Sequence, residues 1–294
     1  MNQSCLEALV HPFEVREFLD SFKKNEPFVV HHESDSLKAL FDLPFLSSLE
    51  SLLNSWPLPI QAHLPDVRDE VSSIDTTPKD APKLFENGMG LLFNEAQKIS
   101  PVLVYWLEDM RRSLGLSAMT YGRSLIYATP DGKGTAPHFD QNINFVLQIQ
   151  GIKKWKLAPN HSVANPMTRH TMGQVGDAEL MSYIEAPLPA EMPSDSLSYE
   201  LRPGSLLFVP RGYWHSTQAE GDALALNFTF TAPTWIDLLS AAMRARLAQV
   251  PEWRETAVMG EENRFQYLLE ALAGELPHWR ADDILEMTEQ SDMA

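Results

Sequence analysis

Between residues 121 and 232 the chain consists of short apolar or alternating runs separated by glycine, proline, asparagine and aspartate. These runs cover 123–128, 143–149, 153–158, 197–201, 205–209 and 223–230. Runs of this length with turn residues between them are typical of strands, and several in succession indicate an all-β barrel or sandwich. This pattern constrains the fold more than any other feature, and it predicts a mainly β core for the middle of the chain.

The segments on either side of this core have helical spacing of their apolar residues. Helices are predicted over 13–22, 37–53, 92–114 and twice after Thr234, and a strand is predicted over 27–30. In the segment 92–114, Ser100 is the expected N-cap and Pro101 the expected first helical residue. The polar segments 64–83 and 160–196 are predicted to be loops, and a connection as long as the second is usually functional. We therefore expect a helical N-terminal part with one strand added to the core (1–120), a barrel (121–233) and a short helical C-terminal region (234–294).

The composition limits the function classes. Lys and Arg number 23 against 40 Asp and Glu, which gives a net charge of −17. This charge disfavours non-specific binding to nucleic acid or to anionic membranes and is compatible with a basic partner. The single cysteine, Cys5, excludes an internal disulfide and a cysteine zinc cluster. No signal peptide and no membrane-spanning segment is recognised, so a cytoplasmic protein is expected.

The most informative motif is the His-x-Asp pair formed by His138 and Asp140. On an extended segment both side chains point to one face, because the side-chain period of a strand is two. With His215 as the best candidate for a third ligand, the set matches the two-histidine, one-carboxylate site of non-haem Fe(II) oxygenases. A His-x-Asp pair on its own is more often a satisfied hydrogen-bonded pair, so the motif alone does not decide between the two interpretations.

Other residues favour the functional interpretation. Lys153 and Trp155 share one face of their strand, and a lysine held inside a barrel needs an anion such as the carboxylate of a keto acid. Thr135 and Tyr127 could donate hydroxyl hydrogens to the same carboxylate. Polar Asn144 and Asn227 each alternate with apolar neighbours, and each indicates either a ligand-facing position or an ordinary solvated face of the sheet.

Together these segments resemble the JmjC branch of the cupin superfamily. The resemblance rests on four ordered motifs: His-x-Asp, Gly-x-Lys-x-Trp, Pro-Gly-x-Leu-x-x-x-Pro-x-Gly-x-x-His and Asn-Phe, over residues 120–232. The family consists of Fe(II)- and 2-oxoglutarate-dependent oxygenases with a double-stranded β-helix, or jelly-roll, core. The relatives it resembles are the ribosomal-protein hydroxylases and the asparaginyl hydroxylase that inhibits hypoxia-inducible factor.

The resemblance implies a role for each matching residue. It implies that His138, Asp140 and His215 are the Fe(II) ligands and that Lys153 grips the distal carboxylate of 2-oxoglutarate. It implies that Thr135 and Tyr127 are hydroxyl partners of that carboxylate, and that Asn144 and Asn227 lie near the cosubstrate. The ribosomal hydroxylases continue with a helical dimerisation region and a winged-helix domain, and the residues after 234 suffice for only one of them.

The expected reaction is hydroxylation of a side chain of a protein or peptide. The alternatives are hydroxylation of a small molecule, such as a free amino acid, and a non-catalytic metal-binding cupin. The acidic chain favours a basic polypeptide substrate. An apolar stripe on the first C-terminal helix either packs on the barrel or forms a homodimer; it comprises Trp235, Ile236, Leu238, Leu239, Ala242, Met243 and Leu247.

Overall fold

The computed structural model describes residues 4–32, 37–64 and 72–290. Its contacts divide the chain into two compact units. The first contains Met1–Leu114 and Gly122–Thr231, and the second contains Gly115–Tyr121 and Ala232–Ala294. The domain limits proposed from the sequence at residues 120 and 233 stay predictions.

The described residues form one sheet of eleven strands, and every pairing whose register is resolved is antiparallel. The strands are β1 Phe28–His31, β2 Ile60–His63, β3 Ser73–Thr76, β4 Gly90–Phe93, β5 Tyr121–Thr129, β6 Gly134–Phe139, β7 Ile143–Ala158, β8 His170–Thr171, β9 Leu197–Leu201, β10 Ser205–Val209 and β11 Trp214–Thr231. A mainly β core with flanking helices was predicted, and the jelly-roll fold class is confirmed.

Two long strands, β7 and β11, pair with each other along most of their length and organise the rest of the sheet. The first half of β7 also pairs with β10, and its second half pairs with β9. The first residues of β11 pair with β6 as well. Each long strand therefore has different neighbours along its two halves, as a strand that passes from one layer of a jelly roll to the other must.

The long strands differ from the sequence expectation. The runs 143–149 and 153–158 were predicted as separate strands, but they form one strand bent at Gly151, whose φ of 68° suits glycine. An added Cβ at Gly151 would collide with the backbone of Asp222 on β11. His215 is the second residue of β11. The merging of the two runs reflects pairing between distant strands, which extends an element beyond its own apolar run.

The described helices are shorter and more broken than predicted. The first unit contains α1 Cys5–Val10, α2 Val15–Lys23, α3 Lys38–Phe41, α4 Leu49–Ser55, α5 Ala81–Glu86, α6 Pro101–Ser113 and α7 Ala178–Tyr183. The predicted helix 37–53 is interrupted at Pro44, and a new helix starts where the Ser48 side chain accepts a hydrogen bond from the N–H of Ser51. Within the segment 92–114, α6 begins at Pro101 with Ser100 as its N-cap, as these two residues predicted.

The N-terminal part contributes more strands than expected. It supplies β1 to β4, although only β1 was predicted, and β3 lies inside the segment 64–83 that was expected to be a loop. Residues 65–71 of that segment lie outside the described residues. Strands of four residues carry too short a pattern to be separated from helix or loop by periodicity. Likewise, β8 and α7 lie within the predicted long loop 160–196.

The N-terminal helix α2 packs on the sheet through the rings of Phe18 and Phe22, and the ring of Phe22 lies 5.7 Å from that of Phe208. Phe18 is fully buried, and its ring lies 5.3–5.6 Å from the rings of Phe28, Phe145 and Phe208. These three rings belong to β1, β7 and β10, which are adjacent in the sheet. Edge-to-face and tilted contacts at these distances add to the free energy gained from burial. The helix thus covers one face of the strands that carry the first half of β7.

The second unit contains three helices among its described residues, namely α8 Trp235–Leu247, α9 Glu262–Glu275 and α10 Ala281–Gln290. A capping box formed by Thr234 and Asp237 starts α8, and α8 contacts α10. Of the predicted apolar stripe, Leu238 and Ala242 are buried, while Trp235 and Ile236 are 79% and 62% exposed. None of the described helices has the length and apolarity that crossing a bilayer requires.

The contact between β6 and β11 leads to a first prediction. A Cβ added at Gly134 would overlap the backbone of Thr217, whereas one added at Gly90 would meet its nearest neighbour at 3.8 Å. We expect Gly134→Ala to lower the free energy of unfolding by about 2 kcal/mol or more, because rigid backbone must move apart. Gly90→Ala should stay within about 0.5 kcal/mol of the wild type. Urea unfolding checks this, and equal values for the two variants would contradict the close approach.

Candidate metal and cosubstrate site

Strand pairing brings the two predicted histidines together. His138 on β6 is the direct register partner of His215 on β11, and their ring centroids lie 4.1 Å apart. Asp140 follows β6, and its Oδ2 lies 3.9 Å from Nε2 of His138 and 3.7 Å from Nε2 of His215. One ligand atom from each residue lies within 4.8 Å of the other two. Three ligand atoms in this arrangement can meet at a single divalent cation.

The orientation of each imidazole is set by its own strand. Nδ1 of His138 lies 2.7 Å from the carbonyl oxygen of Ala136, and Nδ1 of His215 lies 2.9 Å from that of Tyr213. A carbonyl can only accept, so each Nδ1 carries the hydrogen and each Nε2 presents a lone pair toward Asp140. Histidines that bind metals usually donate their other N–H in this way.

The charge states also suit a cation. Burial lowers the pKa of His138 to about 4, so its ring is neutral at pH 7. Burial by itself raises the pKa of Asp140. The neighbouring histidines and Arg169 lower it by more, so the pKa lies below its ordinary value. Because His138 is neutral at this pH, Arg169 is the permanent positive charge beside the carboxylate. The donor set therefore includes the neutral ring of His138 and an ionised oxygen of Asp140.

Arg169 is a site residue that sequence reasoning missed. Its Nε donates to Oδ1 of Asp140 at 3.1 Å, which leaves Oδ2 directed at the histidines. The short strand β8 follows it directly and pairs with β6 through Thr171 and His138, which places the arginine beside the motif. It lies in the aperiodic connection 160–196, and nothing in its local sequence marks it.

The three residues line a cavity of about 340 Å³ that extends into the jelly roll. Every other predicted site residue also lines this cavity: Tyr127, Thr135, Asn144, Lys153 and Asn227. Side chains alternate along β7 as expected, with Lys153 and Trp155 buried and Lys154 and Lys156 exposed. The sheet therefore brings residues from Tyr127 to Asn227 in the chain together on one concave surface.

Lys153 is held within the cavity wall. It is 5% exposed, its Nζ donates to Oγ1 of Thr129 at 3.1 Å, and it lies 5.7 Å from the centroid of the Tyr127 ring. Lysines are almost never this deeply buried unless a partner offsets the loss of hydration. Thr129 was not predicted as a site residue. Its contact with Lys153 joins β5 to β7, and a contact between two separate strands leaves no local sequence signal.

The hydroxyl and amide side chains form further pairs. Oγ1 of Thr135 lies 3.0 Å from Oγ1 of Thr217, another cavity residue that sequence reasoning missed. Asn144 accepts a hydrogen bond from Thr229 at 2.7 Å. The buried Oδ1 of Asn227 has no hydrogen-bond partner among the described residues. A buried acceptor that faces a cavity without a partner is suited to a ligand or an ordered water.

Comparison with known proteins agrees with this site. The family profile described as "JmjC domain" matches residues 106–238. The protein YxbC of Bacillus subtilis, described as uncharacterized, is 33% identical over 88% of this chain and 80% of its own length. The chain belongs to the JmjC-domain family. This confirms the resemblance found in the sequence, and JmjC oxygenases depend on Fe(II) and 2-oxoglutarate.

More distant relatives of this JmjC protein include ribosomal oxygenase 1 of Gallus gallus. It is 26% identical over 84% of this chain, but the match spans only 41% of the chicken protein. Among solved structures, that of Escherichia coli ycfD has a TM-score of 0.53 and 16% identity, covering 88% of this chain and 67% of ycfD. The structural likeness supports the fold. The chain therefore spans most of the Bacillus relative and less than half of the chicken one.

The neutral histidine of the JmjC site makes a prediction about acid stability. The pKa of His138 is about 4 in the folded protein against an ordinary value of 6.5, so the unfolded chain binds one more proton between these values. The contribution of His138 to the free energy of unfolding is therefore fully present above about pH 6.5. It falls by about 1.4 kcal/mol per pH unit as the pH is lowered toward 4. In metal-free protein we expect the free energy of unfolding of His138→Gln to depend less steeply on pH in this range than that of the wild type. Unfolding at several pH values with a chelator checks this, and identical slopes would contradict it.

Proposed function

We propose that this chain is an Fe(II)- and 2-oxoglutarate-dependent oxygenase that hydroxylates a side chain of a protein or peptide. The observation that carries the proposal is the pair of register-matched histidines, His138 and His215, whose Nε2 atoms face the carboxylate of Asp140. These three residues would hold Fe(II). With three protein ligands, coordination positions remain for a cosubstrate and for oxygen, as in other sites of this ligand set.

The residues present fit 2-oxoglutarate as well. A buried lysine at the inner wall gives the distal carboxylate a charge-assisted hydrogen bond, and Thr135 and Tyr127 line the same cavity with hydroxyl groups. Asn144 and Asn227 stand on β7 and β11, and the unpartnered Oδ1 of Asn227 can accept from a ligand or water. Bound together, the iron and 2-oxoglutarate supply the oxidising chemistry that protein side chains lack.

The protein itself contributes position and exclusion of water. The carbonyl oxygens of Ala136 and Tyr213 hold the two imidazoles in one tautomer, and Arg169 holds one oxygen of Asp140 so that the other faces the metal position. The aromatic rings of Trp155 and Tyr127 flank Lys153 and shield its interaction with the carboxylate from solvent. A charged pair shielded in this way is stronger than one exposed to water.

The proposal of a protein substrate is supported by the names of the relatives. Several are named ribosomal oxygenases or histidyl-hydroxylases, which supports a polypeptide substrate of the same broad class. The net charge of −17 favours encounter with a basic polypeptide and disfavours nucleic acid. The cytoplasm is the proposed compartment, in keeping with a single cysteine that is buried.

Ordered ligand binding tests the site directly. In metal-free protein, Mn(II) as a redox-inert substitute should raise the melting temperature, and 2-oxoglutarate should raise it further only when Mn(II) is present. Asp140→Ala should abolish both responses and all turnover of 2-oxoglutarate. Lys153→Met keeps the length of the side chain and removes its charge, so it should keep the Mn(II) response and weaken the response to 2-oxoglutarate by about tenfold or more.

The exposed Lys154→Met provides the matched control, because Lys154 points away from the cavity on the same strand. It should respond as the wild type does. A shift with Mn(II) that is indifferent to 2-oxoglutarate would favour the non-catalytic cupin instead. Retained turnover in Asp140→Ala would remove the assignment of the metal ligands.

We also propose that α8 forms a homodimer. Trp235, Ile236 and Leu239 are 79%, 62% and 45% exposed on one helix, and apolar groups this exposed in a cluster are typical of contact surfaces. Light scattering at micromolar concentration should give twice the mass of 33.2 kDa. Trp235→Glu should give the mass of a monomer without lowering the melting temperature of the protein. A monomeric wild type would rule the dimer out.

A further inference from the structure

The described lining of the cavity has a charge balance opposite to that of the chain. It includes two arginines and two lysines, Arg123, Arg169, Lys133 and Lys153, and among the described lining residues Asp140 is the single carboxylate. The chain as a whole carries −17. The whole-chain charge acts on a partner at a distance, whereas the lining charges act on the group that enters, because screening over a Debye length separates the two.

The proposed cosubstrates do not use all of these cations. The charges of Fe(II) and Lys153 are balanced by Asp140 and the two carboxylates of 2-oxoglutarate. Arg169 is occupied at Oδ1 of Asp140. Arg123 and Lys133 therefore remain as positive charges toward whatever else enters the cavity. An anionic group would be stabilised there, and a cationic one would be repelled.

Arg123 stands apart from the 2-oxoglutarate end. Every second residue of β5 from Arg123 to Thr129 lines the cavity, and Thr129 contacts Lys153. Six residues of strand separate the Cα atoms of Arg123 and Thr129 by about 20 Å. A five-carbon dicarboxylate held by Lys153 is too short to serve both positions, so Arg123 is available for a different ligand.

Two residues of the cavity lining carry a buried polar atom that has no partner within the part of the chain that is described. Nε of Arg123 is buried without a hydrogen-bond acceptor there, and Oε1 of Gln141, next to Asp140, is buried without a donor. Both residues line the cavity. A buried donor left unpaired is costly, and a carboxylate matches the planar fork of a guanidinium best. The unpaired amide oxygen of Gln141 can accept an N–H from a ligand within the cavity.

We propose that the substrate presents a carboxylate to Arg123, so that the accepted residue is acidic. This inference rests on the proposed function. A peptide aspartate or glutamate carries both a carboxylate and a neighbouring amide N–H, and an N-acylated acidic amino acid carries the same two groups. An arginine or lysine side chain would bring a positive charge beside Arg123. The basic character expected of the substrate then belongs to its flanking residues, which the acidic exterior attracts.

The test uses protein loaded with Mn(II) and N-oxalylglycine, an inert analogue that occupies the 2-oxoglutarate position. At constant ionic strength, the α-amide of N-acetyl-aspartate should raise the melting temperature of this complex further. The α-amides of N-acetyl-asparagine, which has the same shape, and of N-acetyl-arginine should raise it much less. Arg123→Gln should weaken binding of the aspartate probe by about tenfold or more.

Arg112→Gln is the matched control, because Arg112 is exposed on α6 and pairs with Glu108 at 3.2 Å. It should bind the aspartate probe as the wild type does. Equal stabilisation by the aspartate and asparagine probes, or an unchanged response in Arg123→Gln, would overturn the proposal. Absence of any stabilisation by Mn(II) with N-oxalylglycine would instead overturn the proposed function on which it rests.

Charge reversal and a peptide distinguish the source of the carboxylate. Arg123→Glu should reverse the preference, so that the arginine probe stabilises the loaded protein more than the aspartate probe. The aspartate is then placed at the centre of a short peptide flanked by lysines. Tighter binding of the peptide than of the single amino acid would identify a polypeptide source. Weaker binding would identify a small acidic metabolite, and no reversal in Arg123→Glu would overturn the role of Arg123.

Discussion

The pairing of β6 with the start of β11 is the contact on which the site depends. It sets His138 opposite His215, and the two strands approach so closely at Gly134 that no side chain fits there. A slip of one residue in this pairing would turn one imidazole to the other face of the sheet, because the side-chain period is two. The register is held by the long pairing of β11 with β7, which continues beyond the site on the same strand.

Neighbouring groups orient the three side chains that this contact brings together. Each imidazole donates to a carbonyl two residues earlier on its own chain segment, so no separate side chain is needed to set its tautomer. The carboxylate is held from the other side by Arg169, which comes from a long connection and reaches the site through the pairing of β8 with β6. The connection 160–196 therefore contributes to the geometry of the ligands.

Some of these features were visible in the sequence and others were not. The strands 197–201 and 205–209 agree with their runs residue for residue, because each run is bounded by turn residues. The helix 37–53 failed at Pro44, and β2 to β4 were missed, since four-residue strands gain their identity from neighbours rather than from their own pattern. Thr129, Thr217 and Arg169 were missed for a related reason, since each pairs with a site residue distant in the sequence.

The two charge patterns of the molecule show where composition stops being informative. A net charge of −17 describes the exterior and long-range steering, and from it alone a basic substrate is the natural expectation. The described lining of the cavity has the opposite balance, because cationic side chains from β5, the following turn, β7 and the 160–196 connection converge there. Counting residues cannot show this convergence.

By itself, the sequence determined the class of core, the family and the chemical types of the main ligands, because these depend on local runs and on short motifs. Only the tertiary structure decided which atoms of those ligands face one another, which oxygen of Asp140 stays available, and which cations line the cavity without a described partner. The physical reason is that local patterns specify the faces of strands, whereas a site is made where faces from distant strands meet. That meeting is set by register, strand bending and packing, which no single segment encodes.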